Sequence, residues 1–423
     1  MKKLIYSLIA LLSLVSVSCS DSDEPGNGGN GNRKYVLTVI CNMPKEAQDE
    51  AAKTLKDATV TTKDVNTGKV VDTRFETIEG YFTLELNPGL YDITLSAILE
   101  QQISGQIIKS KVSGYKQAIQ VTSSKVSADL PLFFEENQDN KAGKGFVLSE
   151  LFFTGTKNPY GGQYYADKYF VIYNNSNETL YADSLAIAES AFMTVSKSDY
   201  TPDIMSEAMA VDALYMIPGD GKTYPVKPGE SLLICDNAIN HKKANTNSFD
   251  LTTADFEWAD ESTNPSVSDV NNPDVPDMKK IFCKTKTVWS PHNRGFKAIA
   301  LVKMKTDLET YLADYGYFYS YMVIGATGQL PMTGSSYKIP NSWVVDAVNL
   351  SIESLFQWIV VDPSLDRGWT YCGHINYDES RYGKCVRRKV ESRKADGTAI
   401  LKDTNNSTVD FDAEQTADPF FKF

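Results

Sequence analysis

The chain of 423 residues carries 54 acidic against 42 basic side chains, a net charge of −12, which argues against a general nucleic-acid binder held by phosphate contacts. With 42% hydrophobic and 23% charged residues it has the composition of a folded protein, and its length exceeds what one ordinary core accommodates, so two or more domains are expected.

The N-terminus begins with Lys2 and Lys3, continues with an apolar stretch from Leu4 to Val17, and reaches the small residues Ser16 and Ser18 directly before Cys19. This is the order of a secretory signal, and its apolar stretch is shorter than the roughly 20 residues a spanning helix needs. With a cysteine at the cleavage point it resembles bacterial lipoprotein signal peptides, although Ser16 stands where the pattern usually has Leu. The resemblance implies a signal peptide over residues 1–18, acylation of Cys19 (palmitate among the chains), and anchoring in membrane lipid. Loss of Lys2 and Lys3 with the signal would leave 40 basic against 54 acidic residues, or −14.

Residues Ser20 to Glu24 resemble the acidic tag that, in Bacteroidota, sends lipoproteins to the outer face of the outer membrane; the plainer reading is a solvated linker. Pro25 to Asn32, PGNGGNGN, is too polar and glycine-rich to bury anything. Residues 19–32 are therefore expected to form a flexible tether, its Pro25–Asn32 part reaching about 15 Å.

From residue 33 to 136 the pattern is short strands between turns. Tyr35–Ile40 reads YVLTVI, Phe82 and Leu84 alternate with Tyr81, Thr83 and Glu85, and Asn66-Thr67-Gly68 and Asn87-Pro88-Gly89 mark turns. An antiparallel sandwich follows, with one helix expected in the alanine-rich segment Pro44–Leu55. Ala58-Thr59-Val60, Gly80 before Phe82, and Pro88-Gly89-Leu90-Tyr91 together resemble the carboxypeptidase-regulatory-like, transthyretin-like sandwich. That resemblance implies a spacer or adhesion module without catalysis.

A new pattern starts near Gly145 and fills residues 144–423. A strand reaching Ser149-Glu150 is followed by a Gly-rich aromatic loop, the strand KYFVIYN, an Asn-rich turn and Leu180–Ala188. Tyr224–Glu230 then leads through Pro228-Gly229 into SLLIC, Ser342–Val348 reads SWVVDAV, and Asp403–Ser407 with Asp410-Phe411 closes the pattern. These features resemble a lamin-tail-like, immunoglobulin-type sandwich, with Val171 in place of the usual acid of its second strand. Together with DNAINH at Asp236–His241 and ADFEW at Ala254–Trp258, they resemble an uncharacterised Bacteroidota surface lipoprotein family of the domain of unknown function 4876 type. The fold class expected is all-β: two immunoglobulin-like β-sandwiches, the second enlarged by long loop insertions and a few short helices. Asn and Asp of the closing signature are expected to hold turns through backbone amides.

Five cysteines follow Cys19, an odd count that leaves at least one free thiol if the protein is exported. Cys41 and Cys235 end strand-like runs and read as buried hydrophobes. Cys283 has no assigned role, and Cys372 with Cys385 is the most plausible disulfide. The three histidines His241, His292 and His374 are scattered, so no zinc site of standard spacing is expected.

Four groups carry possible chemistry. Asp255, Glu257, Asp260, Glu261, Asp269, Asp274 and Asp277 lie in a stretch without Lys or Arg. The first four could offer oxygen ligands to Ca2+, though without EF-hand spacing a solvated acidic loop is favoured. Tyr315, Tyr317, Tyr319 and Tyr321 alternate, so one strand face would carry four phenols, either as a platform for a sugar, a porphyrin or a partner strand or, as favoured, as ordinary packing. Tyr160, Tyr164 and Tyr165 lie in the Gly-rich loop, where binding residues are more often found. Between Arg381 and Lys394 stand seven bases against one acid, which could meet an anionic polymer but read better as a solvated hairpin.

No GxSxG, HExxH or phosphate-loop motif is present, so no catalytic residue is assigned and no cofactor is expected. The expectation is a non-catalytic outer-membrane lipoprotein that captures a nutrient or cofactor at the cell surface, with accessory work for a TonB-dependent outer-membrane receptor suggested by analogy. The alternatives are a structural or adhesive surface protein and, more weakly, a hydrolase.

Overall fold

The computed structural model describes residues 34–44, 47, 53–103, 106–134, 145–262, 264, 267–325 and 328–423. The expected signal peptide over residues 1–18, Cys19 and the expected tether lie outside the described residues.

Seven strands form the first unit: β1 (Tyr35–Asn42), β2 (Lys53–Asp64), β3 (Val70–Ile78), β4 (Tyr81–Leu86), β5 (Gly89–Ile103), β6 (Gln106–Val121) and β7 (Lys125–Phe134). They hydrogen-bond in the order β3-β2-β5-β6-β7-β1-β4. The join between β6 and β7 is confined to Val112–Gly114 opposite Phe134–Leu132, so β7 crosses from one half of the sheet to the other. Period-two alternation sends Leu37 and Val39 of β1, Val60 of β2, Ile93, Leu95 and Leu99 of β5 and Leu130 of β7 into one core between the halves. Burying each such side chain contributes about 1.5–3 kcal/mol. Gly80 sits at φ +79 between β3 and β4, a conformation that strains any residue with a Cβ.

Two expectations change here. The unit is not purely antiparallel, because β1 and β7 run parallel from Val36 opposite Lys125 to Asn42 opposite Pro131. The helix expected over Pro44–Leu55 lies mostly outside the described residues, and its last three positions, Lys53–Leu55, belong to β2. There Leu55 is buried in the core of the unit.

The second unit continues with β8 (Phe146–Phe152), β9 (Thr156–Lys157), β10 (Gln163–Tyr164), β11 (Tyr169–Asn174), β12 (Leu180–Tyr181), β13 (Leu185–Ser190) and β14 (Ala208–Met216). Then come β15 (Pro225–Val226), β16 (Ser231–Cys235), β17 (Phe256–Glu257), β18 (Lys279–Cys283), β19 (Ala298–Lys303), β20 (Gly316–Gly325) and β21 (Gly328–Pro340). The last are β22 (Val344–Ser351), β23 (Thr370–Tyr371), β24 (Lys384–Arg388), β25 (Val390–Arg393), β26 (Ala399–Leu401) and β27 (Phe411–Thr416).

One sheet has the order β17-β16-β11-β8-β24-β27, and a larger one runs β20-β21-β14-β13-β19-β22-β23, with β18 also on β14. Phe170, Ile172, Leu148 and Ile234 of the first face Ile187, Tyr215, Leu301 and Val348 of the second across a shared core. β8, β11 and β13 are buried along their whole length because both faces of their sheets are covered. The all-β class and β-sandwich packing are thus as expected, and the short helices Leu308–Asp314 and Ser407–Asp410 fall in the second unit.

All five described cysteines are free thiols, so the Cys372–Cys385 disulfide is not formed. The reason is the alternation of β24. Val386 enters the inter-sheet core together with Cys372, whereas its neighbour Cys385 packs with Tyr169 and Ala417 in a cluster of its own. Cys41 and Cys235 are buried strand residues, as their hydrophobic runs indicate.

Candidate functional site

The aromatic strand β20 begins just after the helix Leu308–Asp314, whose N-cap Asp307 accepts the Thr310 amide at 2.9 Å. Tyr315 ends that helix and stacks on Tyr311 (5.3 Å, 13°), with Trp343 at 5.0 Å. It is thereby parted from the other three tyrosines of the predicted row. Tyr317 is buried and Tyr319 and Tyr321 are half-buried along one face of β20, while Phe318, Ser320 and Met322 on the other face are exposed.

The tyrosine face meets the segment that follows β13. Phe192 stacks on Tyr200 at 3.6 Å and 13°, and Trp358 lies 6.1 Å from Tyr200 at 22°. Tyr319 stands edge-on to both Phe192 (5.2 Å, 83°) and Tyr200 (5.5 Å, 87°), and Tyr321 is 5.2 Å from Tyr200. Polar contacts fix the group: the Tyr317 hydroxyl donates to the Pro202 carbonyl at 2.7 Å, Trp358 Nε1 to the Met193 carbonyl at 2.8 Å, and Thr201 bridges Ser320.

Between this segment and the strand lies a cavity of about 380 Å3 lined by Phe192, Tyr200, Tyr317 and Trp358. Lys197, Asp199 and Asp203 stand among its lining residues and are exposed, so they form its rim. Burial pushes the Tyr317 phenol up to about 12 and raises those of Tyr200 and Tyr319. All three therefore stay protonated at neutral pH, as hydrogen-bond donors and apolar ring surface. A pocket floored by rings and edged with a few charges is the usual build of a small-ligand site.

The Gly-rich loop places its tyrosines apart. Tyr160 is 98% exposed at the turn between β9 and β10, where Asn158 Oδ1 accepts the amides of Tyr160 and Gly162, each at 2.9 Å. Tyr165 is exposed beneath Lys168 Nζ, 5.4 Å above its ring. Lys168 itself is buried, donating to Ser290 Oγ at 2.7 Å and to the Pro291 carbonyl at 2.5 Å, and burial pulls it down to about 8. Tyr164 is half-buried and donates to His241 Nδ1 at 2.8 Å. His241 Nε2 faces the Asn237 carbonyl at 2.8 Å, which only accepts, so Nε2 carries the proton and Nδ1 receives the phenol. Burial lowers His241 and keeps it neutral. None of these three tyrosines lines the aromatic cavity.

The four Ca2+ candidates are not brought together. Asp255 Oδ2 accepts the Leu233 amide at 2.7 Å, and the buried Glu257 accepts the amides of Ala238 (2.6 Å) and Asn272 (2.5 Å). Asp260 accepts the Tyr215 hydroxyl and the Trp289 amide, each at 2.7 Å, and pairs with Lys280 at 2.8 Å; Glu261 is exposed. Among the described residues no three His, Cys, Asp or Glu side chains are grouped to hold a metal ion. The solvated reading holds for Glu261, Asp274 and Asp277, which are exposed, but Glu257 and Asp260 are buried braces whose charge is met by backbone amides, the Tyr215 hydroxyl and one lysine.

The basic run is likewise not a solvated hairpin throughout. Arg388 is buried and Arg387 Nε pairs with Glu150 at 2.6 Å, because β24 lies inside the six-stranded sheet, and Arg381, in the turn before it, is buried against the Asn293 and Asp378 carbonyls. Only β25 and the turn after it match the solvated hairpin. The closing signature holds turns as expected: Asp410 accepts from the Thr404 amide and hydroxyl, each at 2.8 Å, and from the Asn406 amide at 3.2 Å.

Phe192, Tyr200 and Trp358 were not singled out in the sequence. They stand far from β20 along the chain, and no spacing rule connects them to it. The only local hint was two aromatics eight positions apart in the otherwise polar stretch after β13.

Residues 227–418 match the family model described as protein of unknown function (DUF4876). Among solved structures, the chain is similar to a DUF4876 family protein from Bacteroides thetaiotaomicron, at 21% identity over 90% of this chain and 96% of that one, with a TM-score of 0.51. At that identity the likeness concerns the fold alone. No curated protein matches the chain. Over residues 227–418 the chain is thus similar to the DUF4876 family of proteins of unknown function, and it shares its fold with a member of that family from Bacteroides thetaiotaomicron.

Proposed function

We propose that this protein is a non-catalytic lipoprotein of the outer membrane that captures a small ligand at the cell surface in the aromatic cavity between β20 and the 192–205 segment. The observation carrying this reading is the cavity of about 380 Å3 itself, with stacked rings as its floor and Lys197, Asp199 and Asp203 at its mouth. Ring faces take the apolar side of a flat or ring-shaped molecule, and the rim charges take its polar edge. Protonated phenols make poor bases, which favours capture over catalysis. The lipoprotein part rests on the Lys2-Lys3, apolar and Cys19 order of the N-terminus, and a TonB-dependent receptor as partner rests on analogy.

Titration with disaccharides and with a porphyrin, followed by tryptophan fluorescence, tests the cavity. At least one probe should saturate, and Tyr200→Ala or Trp358→Ala should weaken it about tenfold or more. Saturation left intact in both variants, or no saturation by any probe, overturns the reading. Palmitate labelling that persists in Cys19→Ser would separately overturn the anchor.

A further inference from the structure

The strand order of the first unit has open ends: β3 stands at one and β4 at the other, and among the described residues nothing pairs with the outer edge of β3. Such an edge offers a row of backbone N–H and C=O groups to a further strand, unless proline, a bulge or like charges block it. β3, VVDTRFETI, has no proline and no lysine, pairs with β2 without a register shift, and alternates acid, base and acid at Asp72, Arg74 and Glu76. Phe75, Thr73 and Val71 stand opposite Ala58, Val60 and Thr62, all buried, so these three lie on the core side while Val70, Asp72 and Arg74 lie on the other. Val70 is 57% and Val71 48% exposed, and Arg74 has no ion-pair partner among the described residues. Phe75 packs on Phe82 at 5.3 Å beside an open hollow of about 490 Å3 that Thr77 and Tyr81 also line.

We propose that β3 is a self-docking edge, along which a second copy of this chain adds its own β3 antiparallel about a two-fold axis at Thr73. In that register Thr73 meets Thr73, Asp72 stands opposite Arg74 and Val71 opposite Phe75, and the two-fold makes each of the last two contacts twice. The ion pairs fall on the outward side, and Val71 of each copy comes to the hollow beside the other's Phe75. Other registers do not match. A centre at Asp72 or at Arg74 puts that residue opposite its own charge, and a centre at Phe75 sets Asp72 against the buried Ile78. A shift by one residue opposes the charged side to the core side. Read in reverse, Val71–Phe75 presents a base where the acid stood and an acid where the base stood, so the strand that fits it is another copy of itself. Nine residues are fewer than the roughly 20–30 that a stable interface takes from each side, so the pairing is weak and depends on concentration.

The test uses the full chain with Cys19→Ser at about 0.15 M salt, where the long-range repulsion of two chains of net charge −12 is screened but charges in contact are not. Thr73→Cys is the trap: opposed residues of an antiparallel pair have Cα atoms about 4.5–5.5 Å apart, within the range a disulfide spans. Mild oxidation should give a covalent dimer, at a rate that rises with protein concentration. The same chain with Thr73 kept should not, its other described cysteines being buried or half-buried. Adding Asp72→Arg should slow trapping about tenfold, because it opposes two arginines at each end of the register, and adding Arg74→Asp as well should restore it. Asp72 and Arg74 are exposed, so neither change should move the melting transition. Four results overturn the proposal: no trapping in Thr73→Cys, trapping indifferent to Asp72→Arg, no recovery with the second charge change, or faster trapping in Phe75→Cys than in Thr73→Cys, which would mean another register.

Discussion

Arg388 illustrates how a single side chain in this fold does work that its sequence neighbourhood disguises. In a run of seven bases it reads as solvated charge, yet it is buried, with Nη2 on Asp346 Oδ2 at 2.5 Å, Nη1 on the Lys402 carbonyl and Nε on the Leu148 carbonyl, each at 2.8 Å. Asp346 also accepts the Leu148 amide at 2.7 Å, so one ion pair ties β8, β22 and β24 to the segment after β26. Removing one partner of such a pair leaves an uncompensated charge in the core. Arg388→Met is therefore expected to lower unfolding free energy by about 3–5 kcal/mol in urea titration. Arg393→Met, on the exposed β25, should stay within about 0.5 kcal/mol. The same desolvation argument explains Glu257 and Asp260: an acid in an acid-rich stretch is readable as a charge, but not as a brace, until the amides it receives are known.

At the level of elements, His374 joins three separate parts of the second unit. Its Nδ1 lies 2.5 Å from Glu353 on the turn after β22, and its Nε2 lies 3.1 Å from Glu414 of β27. Carboxylates only accept, so both ring nitrogens donate and the ring is held as an imidazolium. The hydrogen bond to Glu353 and the charge of Glu414 raise the His374 pKa above its ordinary value. A raised folded-state value means that the folded protein binds the extra proton. The clamp's contribution is complete below the unfolded value of about 6.5 and is lost as pH rises through the folded value. Melting curves from pH 5.5 to 8.5 should show His374→Gln less stable than the parent at the acid end, with the gap closing toward the alkaline end; a gap independent of pH would contradict the clamp. β20 makes a related point. Its alternation of tyrosines was readable as a strand face, but which side of that face was covered depended on a segment more than a hundred positions earlier.

Over the molecule as a whole, the first seven strands enclose a core drawn entirely from residues 37–132, and the cores of the second unit are drawn entirely from residues beyond 145. Among the described residues no buried cluster mixes the two stretches. A fragment of residues 145–423 is accordingly expected to unfold in one cooperative transition with a β-type circular dichroism spectrum; a broad, non-cooperative melt would mean that it depends on the first unit. The all-β class and the turn at Gly80 were legible in the sequence, because period-two alternation and turn residues act over a few neighbouring positions. The parallel pairing of β1 with β7 was not, since strands so far apart along the chain reveal nothing of their relative direction.

What the sequence by itself determined was local: which runs form strands, where glycine and proline bend the chain, and the overall negative charge. Only the tertiary structure decided which acids and bases are spent inside, that Cys372 and Cys385 face different cores, and that Phe192, Tyr200 and Trp358 meet the tyrosines of β20 around one cavity. The physical reason is that backbone preference and alternation are set by adjacent residues, whereas burial and partner choice depend on contacts between segments that come together only once the sheets have packed.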